Sequence, residues 1–244
     1  MTLSGTMQRL MGLDEEGLVP LVQPDSARVL LVRPEVNAAF SELIKRAQRA
    51  GFTLRACSAY RSFAAQAAIV SAKFEGKRPV LDALEQPLPQ LPNDPAARLN
   101  AIMRFSALPG FSRHHWGSDL DVYAPSALPL GQSLQLTYHE YLCGSYFHEL
   151  GEFLTENVAA CGFYHPYGAD ADAMLRKAQS GVLKDNEVGC EPWHISYRAL
   201  AEECQALFEP EVALEYLACS DLVFAPAVRA VLTPERIAAV LALD

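Results

Sequence analysis

The sequence predicts an α+β fold in which helices pack against a small antiparallel sheet and a helical tail follows. Three observations carry that reading. Apolar residues recur at intervals of three and four over 35–50 and 145–160, short β-prone runs stand between these stretches, and the chain from Arg198 onward is patterned for helix alone. No internal repeat and no Gly-, Ser- or Pro-rich linker divides the 244 residues. Residues 1–200 are therefore expected to form one domain, its core at about 28–197, with 201–244 a helical extension packed on it.

In chain order, Arg28 to Arg33 form a short β-prone run that stops at Pro34. Val36, Ala39, Phe40, Leu43, Ile44 and Ala47 then mark one face of a helix over 35–50, with Gly51 where its C-terminal cap belongs. A strand over 52–60 delivers Tyr60, Arg61 and Ser62 to its end. Ser62 is placed to N-cap a helix over 63–74 that Gly76 closes. Between 77 and 110, Pro79, Pro87, Pro89, Pro92, Pro95 and Pro109 limit regular structure to a short helix near 96–105, so this segment is expected to run over the surface.

A strand over 120–123 follows, then a loop over 125–135. The amphipathic stretch 145–160 places Phe147, Leu150, Phe153, Leu154 and Val158 on one side and ends at Cys161-Gly162. Residues 163–167 and 189–197 are strand-like, and the tail offers helices over 200–207, 212–219 and 234–243.

Composition excludes some classes. A net charge of −9 argues against a nucleic-acid partner, because such binding draws its affinity from clustered Lys and Arg. Six singly spaced cysteines predict reduced core thiols rather than a disulfide framework. No stretch approaches the roughly 18 apolar residues of a membrane span. The amino terminus has no basic region followed by an apolar run, which predicts a cytoplasmic protein, or a periplasmic one if a leader precedes this chain.

Chemistry concentrates in Ser112-Arg113-His114-His115-Trp116-Gly117-Ser118-Asp119-Leu120-Asp121. Imidazole and carboxylate are both zinc ligands, and a catalytic zinc usually takes three protein ligands. Alone, His114 and Asp121 carry little specificity, but Gly117 permits a turn that folds His114 back over the strand bearing Asp121. Glu191-Pro192-Trp193-His194 is the candidate source of a third ligand and of a base. In a strand, Glu191 and His194 point to opposite faces, so they share a site only if the strand begins near Pro192. Arg61 offers a planar fork suited to a substrate carboxylate or a developing oxyanion.

Taken in order, Ser58-Ala59-Tyr60-Arg61-Ser62 with Gln66, Ser112-x-His114-x-x-Gly117-x-x-x-Asp121 and Glu191-Pro192-Trp193-His194 resemble the VanY-like zinc D-alanyl-D-alanine carboxypeptidases. These share a wider group with lysostaphin-type peptidases and the hedgehog amino-terminal domain. The resemblance implies that His114, Asp121 and His194 bind one zinc ion and that Glu191 is the catalytic base. It also implies that Arg61 binds substrate or stabilises the transition state, with Tyr60, Ser62, Gln66, Ser112 and Trp193 lining the pocket.

Two positions depart from the family pattern. A small residue commonly stands where this chain has Asp119, which shares a strand face with Asp121. Asp119 is open to three roles: holding a histidine, binding a substrate amine, or competing as a ligand. The wording of 163–167 also differs. His115 is expected behind the ligands rather than among them.

The expected activity is zinc-dependent removal of a C-terminal D-alanine from peptidoglycan stem peptides. A cytoplasmic enzyme would favour L,D-carboxypeptidase action on tetrapeptides during wall recycling. D,D action on pentapeptides is the alternative, and a zinc-binding module without catalysis is the alternative of another class.

Overall fold

A computed structural model describes residues 2–23, 28–184 and 187–242. The first helix, α1 (Gly5–Leu10), is capped by Ser4, whose Oγ accepts from Met7 N. Two short antiparallel strands follow, β1 (Val19–Pro20) and β2 (Leu31–Val32). Then come α2 (Pro34–Arg49), β3 (Arg55–Ser58), α3 (Phe63–Phe74), α4 (Pro95–Ile102) and β4 (Asp119–Tyr123). The second half holds α5 (His148–Asn157), β5 (Phe163–Tyr164), α6 (Ala171–Gln179) and β6 (His194–Tyr197). It ends in α7 (Arg198–Leu207), α8 (Pro210–Ala218), α9 (Val228–Val231) and α10 (Pro234–Leu241).

The main sheet has the order β3-β4-β6-β5, with every neighbouring pair antiparallel. Its central strand β4 alternates in the manner the period of two requires. Leu120 and Val122 enter a core shared with Val36, Phe40 and Leu43 of α2 and Leu150 and Leu154 of α5. Asp119 and Asp121 therefore face the other side. A second apolar cluster lies beyond that face, built from Met7 and Leu10 of α1, Val70 and Phe74 of α3, Trp116, and Leu217, Ile237 and Val240 of the C-terminal helices. A polar face trapped between two cores holds its groups in fixed positions, since each buried Leu or Phe contributes roughly 1.5–3 kcal/mol to the packing.

The predicted α+β class matches this architecture, and the helices over 35–50 and 63–74 lie within a residue or two of α2 and α3 at each end. Segment 77–110 is not a surface excursion. Val80, Leu99, Ile102, Met103 and Leu108 are buried in the second core, and Asp94 Oδ2 accepts from Ala97 N to start α4 behind Pro95. The prolines end elements there without carrying the chain away from the core. Helix α6, N-capped by Asp170, and helix α1 have no counterpart in the sequence reading. The predicted last helix reaches Leu243, which lies outside the described residues.

Candidate metal centre

Asp121 is the pivot, because strand pairing alone puts it opposite Ser58 of β3 on one side and His194 of β6 on the other. His194 Nδ1 is 3.2 Å from Asp121 Oδ1. His114 comes from a 3₁₀ turn, Arg113–Trp116, which brings His114 Nε2 to 3.2 Å from Asp121 Oδ2. The turn ends at Gly117 with φ +73°, where a Cβ would stand 2.7 Å from Leu18 Cδ2, so both the conformation and the space call for glycine.

Glu191 reaches the same place because the chain turns at Pro192-Trp193, closed by His194 N donating to Glu191 O at 2.9 Å. The strand starts only at His194, and this resolves the facing problem posed by their spacing. Glu191 Oε2 lies 3.2 Å from His194 Nδ1.

Whether these residues suit a metal depends on where the ring nitrogens aim their lone pairs. His114 Nδ1 is 2.8 Å from the carbonyl oxygen of Ala59, which can only accept, so Nδ1 carries the proton and Nε2 keeps a free lone pair for a metal on the Asp121 side. His194 Nε2 is 2.8 Å from Asp119 Oδ2; donation there leaves Nδ1 facing Asp121 and Glu191. Donors about 2.0–2.1 Å from a tetrahedral zinc stand roughly 3.3 Å apart. Both His–Asp separations are close to that, and the three donor atoms lie within 4.8 Å of one another. The set fits one metal ion.

Electrostatics agree with this donor set. Burial by itself raises the Asp121 pKa, but the His114 and His194 rings outweigh it and hold the carboxyl well below its usual range. Asp119 is likewise held ionised against burial by Arg113 and His194. Its Oδ2 accepts from Arg113 Nε at 2.9 Å and its Oδ1 from Ser196 Oγ at 2.7 Å and from Ser118 Oγ. Of the three roles open to Asp119, the structure shows it holding His194.

Arg113 in turn donates to Tyr164 Oη and to the carbonyl oxygen of Leu241 in α10, each at 2.7 Å. Tail and ligand strand are thus joined through one guanidinium.

The donors open on a cavity of about 290 Å³. Arg61, Gln66, Ser112 and Trp193 line it, as expected from sequence, together with His114, Asp121, His194 and Glu191. Arg61 is held by Gln66 Oε1 at 2.8 Å and Ser58 Oγ at 2.9 Å, and its Nη2 is 3.9 Å from Asp121 Oδ2.

Tyr60 and Ser62 are not among the lining residues, which corrects the pocket reading of both. The Tyr60 hydroxyl donates to Gly12 O at 3.3 Å, and Ser62 Oγ accepts from Ala65 N at 3.2 Å as the cap of α3. His115 touches no donor atom of the site. Gly110 N donates to its Nε2 at 3.0 Å, so Nδ1 carries the proton and donates to Arg61 O at 2.5 Å; burial lowers its pKa to about 3 and keeps it neutral. Lys73, Arg78, Glu85 and Tyr167 also line the cavity without having been singled out in the sequence. The signal for Lys73 was available, since it lies seven residues from Gln66 on one face of a helix.

A buried His–Asp–His donor set with a further carboxylate, Glu191, beside it, opening on a cavity, is the arrangement a metal-dependent hydrolase needs. Residues 29–200 match the VanY family, D-alanyl-D-alanine carboxypeptidase, and the chain belongs to that family. An uncharacterized Haemophilus influenzae protein is 45% identical over 101 residues, 41% of this chain and 68% of its own length. A second from the same organism is 35% identical over 103 residues, 42% and 70%. Among solved structures, the LdcB LD-carboxypeptidase superposes with a TM-score of 0.50 at 19% identity, covering 83% of this chain and 78% of its own. VanYB in complex with D-alanine-D-alanine gives 0.49 at 19% identity, covering 86% and 94%. At 19% identity the likeness to the LdcB structure concerns the fold.

Proposed function

We propose that this chain removes a C-terminal D-alanine from peptidoglycan stem peptides, with zinc held by His114, Asp121 and His194. The observation that carries the reading is Glu191. It stands 3.2 Å from the ligand nitrogen of His194 yet is not needed as a ligand, so it is free to move a proton. Zinc in such a centre would supply Lewis acidity toward the scissile carbonyl and a lowered pKa for the attacking water. Glu191 takes the proton from that water and returns it to the leaving amine. Arg61, fixed by Gln66 and Ser58, pairs with the terminal carboxylate or the developing oxyanion, and Trp193 and Ser112 shape the wall beside it.

The tetrapeptide, cut between an L-centre and D-alanine, is the substrate we favour. Where wall precursor is assembled, trimming the pentapeptide would destroy that precursor, whereas tetrapeptides arise from turnover. Incubation with tetrapeptide and pentapeptide muropeptides distinguishes the two, and D-alanine released from the pentapeptide alone would reverse the assignment. A zinc-binding module without catalysis is disfavoured by the placement of Glu191. One zinc per chain with no hydrolysis of either peptide would restore it.

A further inference from the structure

Helix α3 presents one stripe to the cavity: Gln66, Ile69 and Lys73, at i, i+3 and i+7. Gln66 marks the metal end because it holds Arg61. Lys73 lies two turns further on, about 10 Å along the helix axis at 1.5 Å per residue. Its half-buried ammonium donates to Ser106 Oγ at 2.7 Å and makes no ion pair among the described residues.

The carboxylates that line the cavity are engaged elsewhere. Glu85 accepts from Tyr138 N at 2.8 Å and from His139 N and Nδ1 at 3.2 and 2.7 Å, Asp121 lies between the two ligand histidines, and Glu191 faces His194. Arg78 adds a second cation to the lining. A partly desolvated ammonium with only a hydroxyl partner carries a cost that an incoming anion would offset.

We propose that Lys73, with Arg78 on the same wall, is a second carboxylate-binding position, so that the enzyme selects peptides bearing a free carboxylate upstream of the scissile bond. The inference rests on the D-alanine-releasing reading, and that reading sets the direction. An enzyme that releases one residue has only that residue beyond the bond, so any further carboxylate comes from the amino-terminal side. The span of about 10 Å matches about three extended residues at roughly 3.3–3.6 Å each, or one residue with a long acidic side chain. Two sources fit: a side-chain carboxylate on the residue that supplies the scissile carbonyl, or the free α-carboxylate of a γ-linked glutamate further upstream.

Three tetrapeptides separate the sources: one with diaminopimelate third and γ-linked D-glutamate second, one with lysine replacing diaminopimelate, and one with lysine third and isoglutamine second. In the wild type kcat/KM should fall roughly tenfold or more at one of the two steps. Lys73→Met should bring the three values together, and Lys73→Arg should keep the fall. Each variant is read as a ratio between substrates, so partial misfolding cancels. Equal kcat/KM on all three peptides in the wild type overturns the second position alone. So does a Lys73→Met variant that slows all three in parallel and preserves the ratio. Absence of D-alanine release from all three overturns the tetrapeptide reading and this position with it, and release from a pentapeptide then tells whether the reaction itself stands.

Discussion

Asp119 and Glu191 are both carboxylates within 3.2 Å of the His194 ring, one on each nitrogen, and their surroundings differ in nearly every respect. Asp119 is fully buried and accepts from Arg113, Ser118 and Ser196 as well as His194. Glu191 has a side chain 14% exposed to the cavity and no other ion-pair partner among the described residues. A carboxylate with every lone pair engaged can fix a ring but cannot readily exchange a proton. One that is open on its far side can. The sealed side of His194 is therefore suited to positioning, and the cavity side to proton transfer.

The strongest way to break this contrast is Glu191→Gln. With the base removed and the ligands intact, zinc content should stay near one per chain while turnover falls by roughly 10²–10⁴. Unchanged turnover measured by D-alanine release would assign the chemistry elsewhere.

Asp119→Ala acts on the other side. Metal affinity, read by chelator competition, should fall about 10–100-fold because the His194 ring loses its orienting partner. The buried Arg113 guanidinium also loses its carboxylate, which should lower stability by about 3–5 kcal/mol in denaturant unfolding. Adding Arg113→Met should recover part of that stability without restoring metal affinity, since an ion pair replaced as a whole costs far less than one left half-broken. Recovery of both together would mean that Asp119 serves packing alone.

Gly117→Ala tests the turn that carries His114. The left-handed conformation costs a non-glycine residue about 1–2 kcal/mol before any clash with Leu18, so a loss of at least that size is expected in thermal or denaturant unfolding.

The smallest effect concerns the open end of the cavity. Burial, helped by Arg78 and Arg61 and opposed by Glu191, lowers the Lys73 pKa to about 8, so the ammonium is charged below that pH and neutral above it. The preference for an upstream carboxylate, measured as a ratio of kcat/KM values, should therefore fade as pH rises through about 8. A ratio flat from pH 6 to 10 would contradict this.

Much of the centre was legible in the sequence because its ligands lie in short local patterns. Gly117 marks the turn behind His114, the period of two puts Asp119 and Asp121 on one face, and Pro192 sits where a turn must precede the strand of His194. Helices α2 and α3 were equally plain from apolar spacing and their caps. Less legible were features set by long-range packing. Segment 77–110 reads as a loop by its prolines, yet it supplies Val80 and Leu108 to a core that also takes in Phe224 and Val240, more than a hundred residues further on. Tyr60 and Ser62 adjoin Arg61 in sequence, but successive side chains leave the backbone in different directions, and only Arg61 enters the cavity. The bond from Arg113 to the carbonyl of Leu241 links residues 128 apart, and no local pattern announces it.

The central claim is that one zinc ion sits among His114 Nε2, Asp121 and His194 Nδ1, with Asp119 behind the far nitrogen of His194. Anomalous diffraction at the zinc edge from crystals of the zinc-loaded chain tests this most directly. A single peak about 2.0–2.2 Å from all three donor atoms is the predicted result. A peak ligated by Asp119, or one that leaves His194 Nδ1 uncoordinated, would contradict it.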